Sequence, residues 1–353
     1  MKKLYTILAI AAVAAVGCTK VETIDNTPGN KITFQAASYV PQTKGEVSVI
    51  SEFTSFKSKA FLHADGYDSE TQDFFGANGE TISPDNATTP SYWAPSHDYY
   101  WPKSSESYIN FIAWYDKKGT APTVATETNL KWENYTVLTT DNLLFADEAW
   151  RYKDNNNSKY NKDSVTEGVP MLFHHALAQL CIKAAVTKNT DGKTPAHTWD
   201  VTLEDISLGG VYTQGTLNLT NSDPSTEHTT KAWTGSWTPS GSTTTVDMDD
   251  VTTPLTTTAV EVLSMQNVLP QDVTDSNVLN LTVKISYKYN NTEYAHEAID
   301  YSIKLSDFTT AVSEWEMNKK ITYTLTINPE TTVVKLDPAM EEWKAVAGGT
   351  YTI

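Results

Sequence analysis

Two cysteines in 353 residues, Cys18 and Cys181, are too few for a disulfide framework. If Cys18 is otherwise occupied, no intrachain disulfide remains, and stability must come from ordinary hydrophobic cores. Signatures of catalysis are missing too: there is no HExxH, no GxSxG and no P-loop. His174 and His175 are adjacent, and neighbours on a strand point to opposite faces, so they cannot chelate one ion together. Cys181 has nothing nearby to make a thiolate of it. The pairs Asp249-Asp250 and Glu341-Glu342 read as solvated charge, and the loop from Asp65 to Asp73 lacks the regular oxygen spacing of a calcium loop. The chain is read as a non-enzyme with no cofactor and no metal. Positive charge is also short: the formal net charge is −17 and the only arginine is Arg151. That balance excludes nucleic acid as a partner and makes an anionic membrane surface unfavourable. Long amphipathic helical stretches are hard to find, while Thr, Ser, Asn, Tyr and Trp abound, which argues for an all-β fold.

What is present begins with a leader. Lys2 and Lys3 precede an apolar run, Leu4 to Val16, too short to span a membrane as a permanent helix. The run ends in Ala14-Ala15-Val16-Gly17-Cys18. Small residues directly before a Cys resemble a bacterial lipoprotein signal, in which Cys18 is acylated and becomes the mature N-terminus. Ala15 departs from that pattern, where a larger aliphatic residue is commoner, and an ordinary secretory signal with an incidental Cys is the alternative. Each buried acyl methylene contributes about 0.8 kcal/mol, so two or three chains hold firmly. Residues 1–17 are therefore expected to be a signal peptide and 18–30 a lipidated flexible tether. The remaining length suits two domains, 31–168 and 169–353.

Period-two alternation marks the strands. Ile32, Phe34 and Ala36 alternate with Thr33, Gln35 and Ala37, and Thr43-Lys44-Gly45 follows as an exposed turn. Residues 169–186, VPMLFHHALAQLCIKAAV, are expected to form one long strand that opens the second domain, although their Ala and Leu content also suits a helix. Residues 201–208 and 211–219 read as two strands joined at Gly209-Gly210, and 221–258 as a Thr/Ser-rich surface excursion anchored by Trp233 and Trp237. Leu279 to Tyr289 is the cleanest alternating strand, turned by Asn290-Asn291 into a partner through Ile299, Tyr301 and Ile303. A short helix is expected within 306–317, then a strand through Ile321, Tyr323, Leu325 and Ile327. The tail 331–353 is too apolar for a plain disordered end.

Aromatics crowd residues 92–115, YWAPSHDYYWPKSSESYINFIAWY. Tyr108 to Tyr115 is apolar on both faces, as a central strand covered on both sides would be. Trp93 and Trp101 have two readings. They fill the core, or they form an exposed platform that stacks on a glycan ring.

The order ITFQA, TKG, YYWPKSSESYINFIAWY, DNLLFADEAW, VPMLFHHALAQL, VLPQD and WEMNKKITYTLTI resembles the fimbrillin (Mfa-like) family, pilin and pilus-accessory lipoproteins of Gram-negative anaerobes. The resemblance runs from about Lys31 to the last residues. It implies two transthyretin-like antiparallel β-sandwich domains in tandem, export to the outer membrane as a lipoprotein, and assembly with other pilin subunits into a surface fimbria that supports adhesion to a host or bacterial glycan or protein. In such families a trypsin-like protease removes the first strand and a neighbouring subunit supplies a replacement. Here the removed strand would carry Ile32, Phe34 and Ala36. The family's cut usually follows an arginine, and in this chain Lys44, before Gly45, occupies the matching place. The donor would be the tail 331–353, with Val334 and Leu336 as plugs. Asp163-Ser164-Val165 resembles the acceptor for O-glycans on exported proteins of this bacterial group, which makes Ser164 a modification site or the tripeptide a coincidence. The alternative function is a monomeric surface lipoprotein that binds glycans through Trp93 and Trp101. Apolar strands at both chain ends favour the fimbrial reading, because a monomeric binder has no need of an exchangeable edge.

Overall fold

A computed structural model describes residues 31–38, 46–50, 53–64, 71–85, 92–102, 107–147, 149–152, 168–221, 232–308, 312–343 and 347–352. Among these, regular structure is strand apart from one 3₁₀ turn, Leu305–Phe308, so the fold is all-β as expected. Among the described residues, that turn is all that forms of the short helix expected within 306–317.

The first half supplies β1 (Phe34–Ser38), β2 (Glu46–Ile50), β3 (Phe56–His63), β4 (Thr71–Asp73), β5 (Glu80–Asp85), β6 (Tyr92–Pro95), β7 (Tyr108–Asp116), β8 (Val124–Ala125), β9 (Asn129–Thr136), β10 (Leu143–Ala146), β11 (Ala149–Tyr152) and β12 (Val169–His175). Apart from β8 and β9 these share one sheet in the order β11-β7-β10-β12-β1-β6-β5-β3-β4. Pairing of β3 with β7 then closes a ring through β7, β10, β12, β1, β6, β5 and β3. The pairings thus run round a barrel, where two separate packed sheets are the expectation. Its core holds Ile32, Phe34, Phe56, Ile109, Phe111, Met171 and Phe173. The both-faces reading of β7 is accurate: Ile109 and Phe111 enter this core, while Ile112 and Trp114 enter another on the opposite side.

The second half supplies β13 (Ala178–Val186), β14 (His197–Thr220), β15 (Thr234–Asp247), β16 (Val260–Val268), β17 (Gln271–Asp272), β18 (Val278–Tyr289), β19 (Thr292–Lys304), β20 (Glu314–Trp315), β21 (Lys319–Asn328), β22 (Val333–Glu342) and β23 (Ala347–Thr352). One sheet runs β16-β13-β21-β22, and a second runs β19-β18-β14-β9-β8 with β15 also on β14. Their facing sides make a second core from Leu180, Ile182, Val201, Leu203, Leu281, Val283, Tyr323 and Leu325, among others. The alternation read along 279–289 and 321–327 places Leu279, Leu281, Val283 and Ile285, and Ile321, Tyr323, Leu325 and Ile327, inward. Asn290 and Asn291 turn the first of these with φ of 50° and 62°, the left-handed pair that a tight hairpin requires.

Three expectations need correction. The stretch 169–186 is not one strand. β12 pairs with β1 and β10 in the first sheet, and β13 pairs with β16 and β21 in another. The inward phase flips at the break: Val169, Met171 and Phe173 face the first core, whereas Ala178, Leu180 and Ile182 face the second. Ala176 and Leu177 between them are buried in a third core, so the chain passes from sheet to sheet through apolar packing without a surface loop. Next, Gly209-Gly210 does not end a strand; β14 is continuous over 24 residues. Gly210 bends it at φ +77°, and a Cβ there would lie 2.3 Å from the Ser276 carbonyl oxygen, so only glycine fits. Its own carbonyl accepts from the side-chain amides of Gln271 and Asn277, each at 2.9 Å. Last, the Thr/Ser-rich excursion contains β15. Trp233 and Trp237 anchor it, their indoles donating to the carbonyls of Ala146 at 2.9 Å and Ala176 at 2.6 Å.

Pairing also runs across the expected boundary at residue 168. β12 lies on β1, β9 on β14, and β2 on β23. The third core, with Phe61, Trp114, Trp132, Leu143, Leu217 and Trp343 in it, draws on both halves.

Candidate functional site

The first strand carries Phe34 and Ala36, two of the residues expected to be exchanged. β1 lies between β12, parallel to it over five register pairs from Phe34↔Val169 to Ser38↔Phe173, and β6, which it meets antiparallel at Phe34↔Trp93. Ile32 and Phe34 are fully buried and Ala36 nearly so. Phe34 sits edge-on to Phe111 (centroids 5.3 Å, planes 90° apart) and to Phe56 (6.1 Å, 87°), an arrangement that aligns ring edges with ring faces. Backbone bonds hold its start: Ile32 N–H donates to the Tyr99 carbonyl at 2.8 Å, and Val169 N–H to the Thr33 carbonyl at 2.7 Å. Gly168 permits that approach, because a Cβ there would stand 2.8 Å from the Phe34 carbonyl carbon at a φ of +84°. Removing β1 would uncover an apolar slot and the backbone edge of β12. Burying each Ile or Phe side chain contributes about 1.5–3 kcal/mol, and each buried backbone group left unpaired costs about 1–3 kcal/mol.

The other end of the chain reaches the same sheet. β22 runs antiparallel to β21 over ten register pairs, Lys319↔Glu342 to Asn328↔Val333. Leu336 is buried in the second core and Val334 packs against it. The two expected plugs are therefore occupied within their own subunit and would have to leave that core to fill another. Beyond β22, β23 pairs with β2 at Glu46↔Thr352, Val47↔Tyr351, Ser48↔Thr350 and Ile50↔Ala347. β2 also pairs with β1 at Ala37↔Val49 and Ser38↔Ser48, so it bridges the first and last described strands. Nothing in the alternation of the sequence pointed to that bridge.

The remaining expected residues fall as follows. Trp93 and Trp101 are 9% and 2% exposed and sit in the first core. An aromatic cluster in the sequence cannot tell a platform from a core, and here the glycan-platform reading is overturned, since neither ring offers a face to solvent. His174 pairs with Asp147 at 2.8 Å through Nε2. His175, on the opposite face, meets Asn142 Oδ1 through Nδ1 at 3.2 Å and stacks on Trp343. The Cys181 thiol is buried, and burial first, then the negative charge of Glu261, push its pKa up. No group of three or more metal-ligating side chains occurs among the described residues. The leader, Cys18, the tether, Lys44, Gly45 and Ser164 lie outside the described residues.

A family model described as fimbrillin-like matches residues 55–343. Among solved structures, a fimbrial protein from Bacteroides vulgatus is similar with a TM-score of 0.51 at 16% identity, over 89% of this chain and 99% of that one. The fimbrial anchor protein Mfa2 from Porphyromonas gingivalis is similar with a TM-score of 0.35 at 9% identity, over 90% and 99%. No curated protein matches the sequence.

Proposed function

The chain belongs to the fimbrillin-like family, and from that premise we propose that it is a subunit of a cell-surface fimbria, in a stalk, anchor or tip position, that supports adhesion. Its work is structural: the family is one of fimbrial proteins and not of enzymes. The first and second of the three cores are taken as the tandem transthyretin-like units, the first with its sheets joined into a ring, Cys18 as the lipid attachment that holds the precursor to the outer membrane, and other pilin subunits as the partners. Ser164 is taken as an O-glycan acceptor, and an intact mass equal to the unmodified mature chain would dispose of that assignment.

The observation that carries the reading is the placement of β1. It is a single short stave of a closed ring, with Ile32, Phe34 and Ala36 inward. A cut after Lys44 would sever it from β2 and leave the rest of the ring covalently whole. The lipid on Cys18 would leave with the released piece; in an anchor, Lys44 would stay intact and the lipid remain. The donor tail 331–353 is held unevenly, by ten register pairs in β22 and four in β23, so release would begin at β23. The second reading, a monomeric glycan binder using Trp93 and Trp101, finds no support in two buried rings.

The test is limited trypsin on residues 19–353, followed by electrophoresis without boiling. A fast nick at Lys44 and heat-labile ladders, absent from a chain ended at residue 330, support the scheme. A nicked subunit that stays monomeric at high concentration sinks it.

A further inference from the structure

The core face of the β14-β18-β19 sheet does not end where the second core ends. Along β18 the inward positions run Val283, Ile285, Tyr287 and Tyr289, and their β14 partners run Leu203, Val201, Trp199 and His197. Burial falls off along this line. Ile285 and Val201 are fully enclosed, Tyr287 is half-buried, and Tyr289 is 43% exposed. The sheet therefore carries an aromatic ledge past the core, at the hairpin turned by Asn290 and Asn291.

One residue on the ledge owes its position to an irregularity. β18 and β19 pair as Tyr287↔Ala295 and then Lys288↔Glu293, with a register shift between them. Tyr294 is the residue passed over. A bulge of this kind redirects the extra side chain, and Tyr294, 59% exposed, is turned toward its neighbours. Its ring lies 6.4 Å from His197 at 71° and 6.4 Å from Tyr287 at 46°, while His197 lies 4.9 Å from Tyr289 at 40°. His197, Tyr289, Thr292 and Tyr294 line an open cleft of about 520 Å³. The imidazole is fixed in it: Nδ1 meets Asp191 Oδ2 at 3.0 Å, and Asp191 Oδ1 accepts the His197 backbone N–H at 3.0 Å and that of Lys193 at 3.1 Å. The ion pair of Lys288 with Asp200 belongs to the alternate positions, which face the other side of the sheet.

We propose that this cleft is a binding site for a neutral sugar ring. Tilted aromatic faces receive the C–H face of a pyranose, and the phenol and hydroxyl tips of Tyr289, Tyr294 and Thr292 meet its hydroxyls, the amphipathic use to which exposed tyrosines are suited. With Nδ1 held by Asp191, Nε2 of His197 presents one further polar atom. A carboxylate beside the cleft in a chain of net charge −17 argues against an acidic sugar. The volume suits a small ligand, whereas a stable protein partner needs about 800 Å² on each side. The site stands apart from the assembly scheme, which ladder formation tests; glycoside binding tests this one.

The experiment is saturation-transfer NMR on residues 19–353 with the methyl glycosides of mannose, galactose and N-acetylglucosamine. We expect transfer to the ring C–H protons of at least one. It should be lost in Tyr294→Ala and in Tyr289→Ala/Tyr294→Ala, retained in Tyr294→Phe, and unchanged in Leu138→Ala, an exposed apolar residue elsewhere. Tyr294→Ala removes a ring outside the core, so its thermal midpoint should match the wild type. Absence of transfer from all three glycosides, or transfer that persists in both alanine variants, overturns the proposal. So does self-association that the double variant abolishes without any glycoside signal, which would make the ledge a contact between copies.

Discussion

The imidazole of His175 lies flat against the indole of Trp343, ring centroids 3.5 Å apart and planes 4° from parallel. His175 ends β12 in the first sheet, and Trp343 directly follows β22 in another. Around them, Asn318 accepts the His175 N–H through its side chain at 3.1 Å and the Trp343 N–H through its carbonyl at 2.8 Å. Two sheets are thus tied at one point, and Trp343 closes the third core over it.

Trp343→Ala should therefore destabilise the whole chain rather than fray its tail, by about 3–5 kcal/mol for a large ring lost from a core. Chemical denaturation of residues 19–353 checks it. A loss below about 1 kcal/mol would mean that the stack does not bind the sheets together.

Gly168→Ala should loosen β1 in particular. The left-handed φ and the 2.8 Å approach to the Phe34 backbone leave no room for a methyl. The cost should exceed about 1 kcal/mol, and trypsin should reach Lys44 sooner than in the wild type. Equal cleavage rates would contradict the packing described for that strand.

Much of this was readable beforehand, and what was not has physical causes. Strands with one wet face announce themselves, as Leu279 to Ile285 and Ile321 to Ile327 do, because period two survives intact. The stretch 169–186 hid its break because Ala176 and Leu177 are as apolar as their neighbours, so a change of sheet left no polar mark. Gly209-Gly210 looked like a turn, but a glycine pair serves equally well to bend a strand past the Ser276 carbonyl. Trp93 and Trp101 fit a core first and a platform second, and the sequence carries both readings because hydrophobicity does not encode exposure. The ledge at Tyr294 depends on a one-residue register shift between β18 and β19, which only the paired strands reveal.

Acid should weaken the first sheet through Glu80. Burial alone would raise its pKa, but hydrogen bonds from Ser96, Tyr99 and His97, with the His97 charge, outweigh it and hold the carboxyl below its ordinary 4.5. A depressed folded-state value adds stability that is full above pH 4.5 and is lost as pH falls through the folded value. Thermal midpoints measured from pH 6 to pH 3 should fall less steeply in Glu80→Gln than in the wild type. Parallel curves would remove Glu80 from the account.

Cys18→Ala should move the protein from the membrane fraction to the soluble one, because the acyl chains are proposed as its hold on the membrane. Unchanged fractionation would count against a lipoprotein.

The central claim is that β1 leaves its slot and is replaced. Ala36 and Met171 are register partners across β1 and β12, and both face the first core. A disulfide in Ala36→Cys/Met171→Cys would hold the strand in place after the backbone is cut, with the buried Cys181 too enclosed to interfere. The measurement is unboiled electrophoresis of this variant, nicked at Lys44, under oxidising and reducing conditions. The account predicts monomer when oxidised and ladders when reduced. Ladders of equal extent in both would show that subunits join without vacating the first strand, and would contradict it.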